Sequence, residues 1–218
     1  MDATPNSDRT RLRREPQLGI YDAEVIREII DTSPICHLGL TDHEGRPLVI
    51  PTIHARIGDR LYVHGSAASR TLRRLADGLD VCCTITQLDG IVLARSSFWS
   101  TMNYRSVMIF GRAQLVVDPV EVAAALDAIV EHVAPGRSAE VRESTATEIR
   151  ATKVISLLID EASAKVRTGD PTDDPADIDS DVWAGVVPLD LRTGAPIPAA
   201  DLAPGIALPD SVSRLTGR

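Results

Sequence analysis

The stretch Leu61-Tyr62-Val63-His64-Gly65-Ser66-Ala67-Ala68-Ser69-Arg70-Thr71-Leu72 joins a β-rich run, a turn of small residues and a helix start. Backbone N–H groups at a helix N-terminus, aided by the helix dipole, attract phosphate. Here they stand beside the hydroxyls of Ser66 and Ser69 and the guanidinium of Arg70, whose fork matches phosphate oxygens. A phosphate site is the chemistry this spacing offers. The plainer reading has Ser69 only capping the helix and Arg70 lying at the surface, and spacing alone does not choose between them.

A second group is Asn103-Tyr104-Arg105-Ser106, at the entry to a long alternating run, with Phe98 and Trp99 just upstream. Tyr104 by stacking and Arg105 by charge suit an aromatic anion. The alternative is a solvated strand end. No catalytic residue is assigned. His64 is the candidate, against the plainer reading of a hydrogen-bonded structural histidine. His37, His43, His54 and His132 lie at no metal-ligand spacing with it, so no metal is expected. Cys36, Cys82 and Cys83 sit among apolar residues and read as buried structural thiols.

These groups need elements to position them. Residues 1–16 are polar and read as an arm, either solvated or wrapped on a partner. Asp22 caps an expected helix over 23–31, with Val25, Ile26, Ile29 and Ile30 on one face and Pro34 beyond it. Strands are expected over 35–41, Pro47 to Arg56 and Leu61 to His64, joined by the turns Asp42-His43-Glu44-Gly45 and Gly58-Asp59. Connections this short make antiparallel pairs. Ser69 opens a short helix to about Asp77, with Gly78 past its end.

Val81–Thr86 and Ile91–Ala94 flank Asp89-Gly90, which reads as a two-residue hairpin turn. A long strand follows over Val107–Val117. Asp118-Pro119 opens a helix with Glu121 at the capping-box position and a buried stripe of Val122, Ala125, Leu126, Ile129 and Val133. Thr145 with Glu148 boxes another short helix, and the last strand runs from Lys153 to about Val166. Beyond Thr168, a proline-rich stretch to Arg218 reads as an extended strap. The organisation expected is an arm over 1–16, a folded body over 17–168 and an extension over 169–218. Six or seven strands with inserted helices argue for a small antiparallel barrel.

The bulk properties set outer limits. In 218 residues, 44 % are hydrophobic and 25 % charged, as in an ordinary globular protein. The formal net charge of -8 gives no electrostatic reason to bind nucleic acid or acidic membranes. No apolar run is long enough to span a bilayer and no signal-peptide pattern opens the chain, so a cytoplasmic location is expected.

Taken in order, Gly-x-Pro-x-Val-x-Pro, Leu-Tyr-x-His-Gly-Ser, Ser-Arg and Asn-Tyr-Arg-Ser-Val resemble the pyridoxamine 5′-phosphate oxidase-like flavin-binding split barrels, over about residues 20–168. The likeness is greatest to the branch with nitroimidazole-resistance proteins. The resemblance implies a homodimer holding FMN, or alternatively FAD, in a groove between subunits. Val49, Ile50, Pro51 and Thr52 would follow the isoalloxazine edge. Ser69 and Arg70 match the phosphate position, with His64, Gly65 and Ser66 lining the groove beside it. The partner subunit would supply Asn103, Tyr104, Arg105 and Ser106, and Lys165 would approach the ring. His64 falls where the nitroimidazole-resistance branch places a functional histidine.

Two departures matter. True pyridoxamine phosphate oxidases carry a C-terminal arginine and proline that close the substrate site, whereas this chain ends in Ser-Arg-Leu-Thr-Gly-Arg, so that reaction is not expected. Phe98-Trp99-Ser100 stands where relatives carry histidines. The resulting expectation is an oxidoreductase that reduces a small-molecule acceptor through bound flavin. The rivals are a flavin, haem or deazaflavin carrier, store or sensor without turnover, and a structural dimer whose pocket has decayed.

Overall fold

The structure, a computed structural model, describes residues 4–216. The first three residues of the expected arm and the last two of the C-terminal sequence lie outside the described residues. Strands are β1 (Gly19–Ile20), β2 (Cys36–Thr41), β3 (Pro47–Thr52), β4 (Ala55–Ile57), β5 (Arg60–Ser66), β6 (Asp80–Leu93), β7 (Thr101–Arg112), β8 (Gln114–Leu115), β9 (Thr152–Leu158), β10 (Glu161–Arg167) and β11 (Gly185–Pro188). Helices are α1 (Ala23–Asp31), α2 (Arg70–Ala76), α3 (Pro119–Val133), α4 (Ala146–Ala151) and α5 (Asp210–Thr216). The chain divides into two compact units. Unit one holds the described residues up to Pro51 with Val81–Gly111 and Ile159–Asp190. Unit two holds Thr52–Asp80, Arg112–Leu158 and the described residues from Leu191.

Unit one is built on a seven-stranded sheet in the order β1-β10-β7-β6-β2-β3, with β11 also on β6. Helix α1 begins as its sequence predicts, the Asp22 carboxylate accepting from the N–H groups of Glu24 and Val25, and it buries Ile26, Ile29 and Ile30. The polar segment ahead of it is tied down. Thr10 is buried, and the Arg9 guanidinium lies 4.5 Å over the Phe110 ring and 3.6 Å from Glu161.

Asp89-Gly90 is not a hairpin turn. β6 runs unbroken for 14 residues, its first part paired with β2 and its last with β11. The burial alternation of Val81, Cys83 and Ile85 changes phase before Gly90 and Val92, which makes one strand read as two. Gly90 serves close approach instead: a Cβ there would stand 2.9 Å from Val186 Cγ1 and 3.2 Å from the Val187 carbonyl oxygen.

Unit two carries a four-stranded sheet in the order β4-β5-β9-β8. Its core joins Tyr62, Val116, Val122, Ala125 and Val154, with Leu126 and Ile149 packed against them. Three expected strands divide. Pro47–Arg56 becomes β3 and β4 in separate sheets, parted at Ile53-His54, where His54 is wholly buried with its ring 4.7 Å from His132 of α3. Lys153–Val166 becomes β9 and β10, broken at Ile159-Asp160 where the Asp160 carboxylate accepts from the Glu161 N–H. The run Val107–Val117 becomes β7 and β8, parted where the Ala113 N–H donates to the Leu79 carbonyl. A continuous apolar run conceals a change of sheet, since both stretches obey the same alternation.

Asp118 caps α3 as expected, but Glu121 does not complete a capping box: it accepts the Tyr62 hydroxyl at 2.8 Å. The Thr145–Glu148 box on α4 is complete. The proline-rich extension is more than a strap. It contributes β11 to unit one and α5 to unit two, and Ser211 of α5 is fully buried. No described helix is long and apolar enough to cross a membrane.

Candidate functional site

Strand β5 lies inside its sheet, paired with β4 and β9, and buries Leu61, Tyr62 and Val63 before emerging at His64. From there Gly65 pairs with Lys153 and Ser66 with Thr152. Gly65 admits α2 close to the strand, since a Cβ would stand 3.0 Å from Leu72 Cδ2. In the turn, Ser66 Oγ accepts from the Ala68 N–H and Ser69 Oγ from the Leu72 N–H. The capping reading of Ser69 therefore holds. It does not exhaust the hydroxyls, each of which keeps a proton to donate. Arg70 is exposed and makes no hydrogen bond or ion pair among the described residues. The turn thus combines a free guanidinium and two hydroxyl donors.

His64 also faces a cavity of about 480 Å³ within unit two. Helix α3 forms one wall with Leu126, Ile129, Val130 and Val133, and Ile53 contributes from the stretch between β3 and β4. Val130 and Val133 are 38 % and 49 % exposed. Val133 belongs to the expected buried stripe, and it is exposed because it lines this open space. Nδ1 of His64 is buried without a hydrogen-bond partner. Burial lowers its pKa below the ordinary 6.5, which keeps the ring neutral at pH 7. A neutral imidazole with an unused nitrogen, in an apolar cavity, is suited to ligate a metal carried by a flat apolar cofactor. Among the described residues no cluster of three or more protein ligands could hold a bare metal ion.

The remaining sequence-selected residues lie in unit one, except Thr52. Val49, Ile50 and Pro51 stand on β3, the last strand of its sheet, with Val49 62 % exposed. Asn103 donates to the Gly169 carbonyl at 3.0 Å and accepts from Arg167. The Arg105 fork rests on Asp89. Tyr104 is half-buried opposite Arg167. Ser106 pairs with Lys165 across β7 and β10, its hydroxyl donating to the Lys165 carbonyl at 3.3 Å, while Lys165 Nζ lies 3.3 Å from Glu15. The structure therefore gathers Asn103, Tyr104, Arg105, Ser106 and Lys165 on two adjacent strands and gives four of them protein partners. The cavity wall of Val130, Val133 and the neighbouring Arg137 was not found from sequence. Its one trace there is the surplus of apolar residues on α3 beyond a single stripe.

The chain belongs to the pyridoxamine 5′-phosphate oxidase family, whose model matches residues 22–166. Its fold is that family's split barrel, a fold that supports flavin binding. Among solved structures it is similar to the flavocytochrome Anf3 from Azotobacter vinelandii, at 41 % identity and a TM-score of 0.90 over 96 % of this chain and 97 % of that one. An FAD and heme binding protein from Mycobacterium smegmatis is 40 % identical, with a TM-score of 0.87 over 91 % and 97 %. A protein described as a 5-nitroimidazole antibiotic resistance protein, from Bacteroides thetaiotaomicron, is 28 % identical, with a TM-score of 0.56 over 68 % and 86 %. No curated protein matches the sequence.

Proposed function

We propose that this chain is a redox protein that holds a flavin and a haem, with His64 as the residue that would ligate the haem iron. The carrying observation is the buried, unpartnered Nδ1 of His64 beside an apolar cavity of about 480 Å³. Two neighbours at 40 % identity or more, a flavocytochrome and an FAD and heme binding protein, support the same pair of groups. The flavin we assign is FAD, on the second of these, in place of the FMN expected from the sequence.

The turn after β5 suits the flavin phosphate through Ser66, Ser69 and Arg70. Val49 to Thr52 suit the ring edge. The exposed β3 edge, with Leu48 and Val49 outside, supports a homodimer in which Asn103 to Ser106 of the second copy complete the flavin site. When bound, the two groups supply one-electron and hydride chemistry. The chain's own residues exclude water with Leu126, Ile129 and Val130, hold the ring of His64 neutral, and fix the phosphate end.

Denaturing the purified protein and identifying the released small molecules by mass tests this reading. FAD and a porphyrin are expected. FMN alone, or no porphyrin after growth with haem supplied, overturns the pair. Anaerobic mixing of the loaded protein with NADH and NADPH then separates an oxidoreductase, whose flavin bleaches, from a carrier, whose flavin stays oxidised.

A further inference from the structure

The rim of the His64 cavity carries an uneven charge. Asp127 and Glu148 line it, and Arg137 is the one cation among the described residues that do. Glu148 is ionised, its carboxyl held down to about 2 chiefly by Arg142. A haem is apolar across its face and bears two carboxylates at one edge. Glu148 is already paired with Arg142, so the haem carboxylates are repelled by Asp127 and drawn to Arg137. Resting on the haem reading above, we propose that Arg137 anchors the carboxylate edge of the cofactor and that the C-terminal helix α5 positions it through Glu140.

The positioning chain is continuous within unit two. Arg137 Nη1 lies 3.3 Å from Glu140 Oε2, which leaves the guanidinium other N–H groups to offer a ligand. Glu140 is itself gripped by α5: the Ser211 N–H donates to Oε1 at 2.9 Å and the Ser211 hydroxyl donates to Oε2. The turn on both sides of Arg137 is fastened as well, with Glu131 accepting from the Gly136 N–H at 2.6 Å and the Ser138 N–H at 2.9 Å. Arg214 of α5 packs on Gly136, its Nη1 3.2 Å from where a Cβ would stand.

Arg137 also borders a second cavity, of about 720 Å³, whose other walls include Pro196, Ile197 and Leu208 of the extension. It therefore stands between the cofactor cavity and the C-terminal segment. The family model ends at residue 166, whereas the likeness to the flavocytochrome covers 96 % of the chain and so takes in most of the extension. The extension thus goes with that neighbour's fold and not with the family's common core. A role at the haem edge accounts for it.

The test is a Soret titration of the full chain with haem and, separately, with haem dimethyl ester, which lacks the free carboxylates. Arg137→Ala is expected to weaken haem binding about tenfold and leave the ester unchanged. Arg137→Lys falls between. Ser211→Ala, acting through Glu140, weakens haem about threefold without touching the ester, and Ser211→Thr restores it. Equal losses for haem and ester, or none for haem, overturn the assignment of Arg137 while leaving His64 and the cavity intact. Wild-type protein that binds neither compound overturns this inference and the haem reading together.

Discussion

The Arg105 guanidinium grips the Asp89 carboxylate with two bonds, Nη2 to Oδ1 at 2.8 Å and Nε to Oδ2 at 3.0 Å, across neighbouring strands β7 and β6. The pair is about one third exposed, 36 % for Arg105 and 30 % for Asp89. Its fork geometry makes it stronger than a typical surface ion pair, and solvent discounts it. Asp89→Asn is expected to lower stability in urea by about 1 kcal/mol. An unchanged midpoint would mean that Arg105 spends its charge elsewhere, for example on a ligand.

Gly90 offers a sharper test of the same region. Because a Cβ would press on Val186 and the Val187 carbonyl, Gly90→Ala is expected to cost about 1–3 kcal/mol by overpacking. Adding Val186→Ala should recover part of it, as the clash with Cγ1 disappears. If Asp89-Gly90 formed a turn, the second substitution would recover nothing.

These residues also mark how far the sequence carries. Asp-Gly between apolar runs signals a hairpin because the signal is local, whereas the pairing of β11 with β6 joins Gly185 to Leu93 and has no local trace. Caps were legible where the partner is a backbone N–H within four residues, as at Asp22, Ser69, Asp118 and Thr145. Glu121 was misread because its partner, the Tyr62 hydroxyl, lies far away in sequence. The strand, turn and helix around His64 were legible for the same local reason. The cavity beside it was not, because it is an absence of atoms between α3 and distant residues.

The capping box on α4 sets a pH dependence. The Glu148 carboxyl is depressed from 4.5 to about 2, first by hydrogen bonds from Arg142, then by the N–H and hydroxyl of Thr145. A carboxyl depressed on folding contributes stability above its unfolded value and loses it as pH falls through the folded one. The difference in melting temperature between wild type and Glu148→Gln should therefore be full above about pH 5, shrink as pH falls through 2 and vanish near pH 1. A difference that stays undiminished from pH 5 to about pH 1 would show that the side chain acts through shape and not charge.

Tyr62 is buried and its phenol is pushed up to about 12, first by burial and then by the bond to Glu121. Tyr62→Phe removes the donor and is expected to cost about 1 kcal/mol of stability. Tyr62→Phe combined with Glu121→Gln should cost less than the two single changes added together, because the pair acts as one unit. Strict additivity would remove this bond from the account of how α3 is held over β5.

The haem titration of wild type against His64→Ala bears most directly on the central claim, read by the Soret band at pH 7 with flavin binding followed in parallel. The account predicts one saturable haem site in wild type, affinity at least about tenfold weaker in His64→Ala, and flavin bound equally by both. A His64→Ala protein whose Soret spectrum and haem affinity match those of wild type would contradict it.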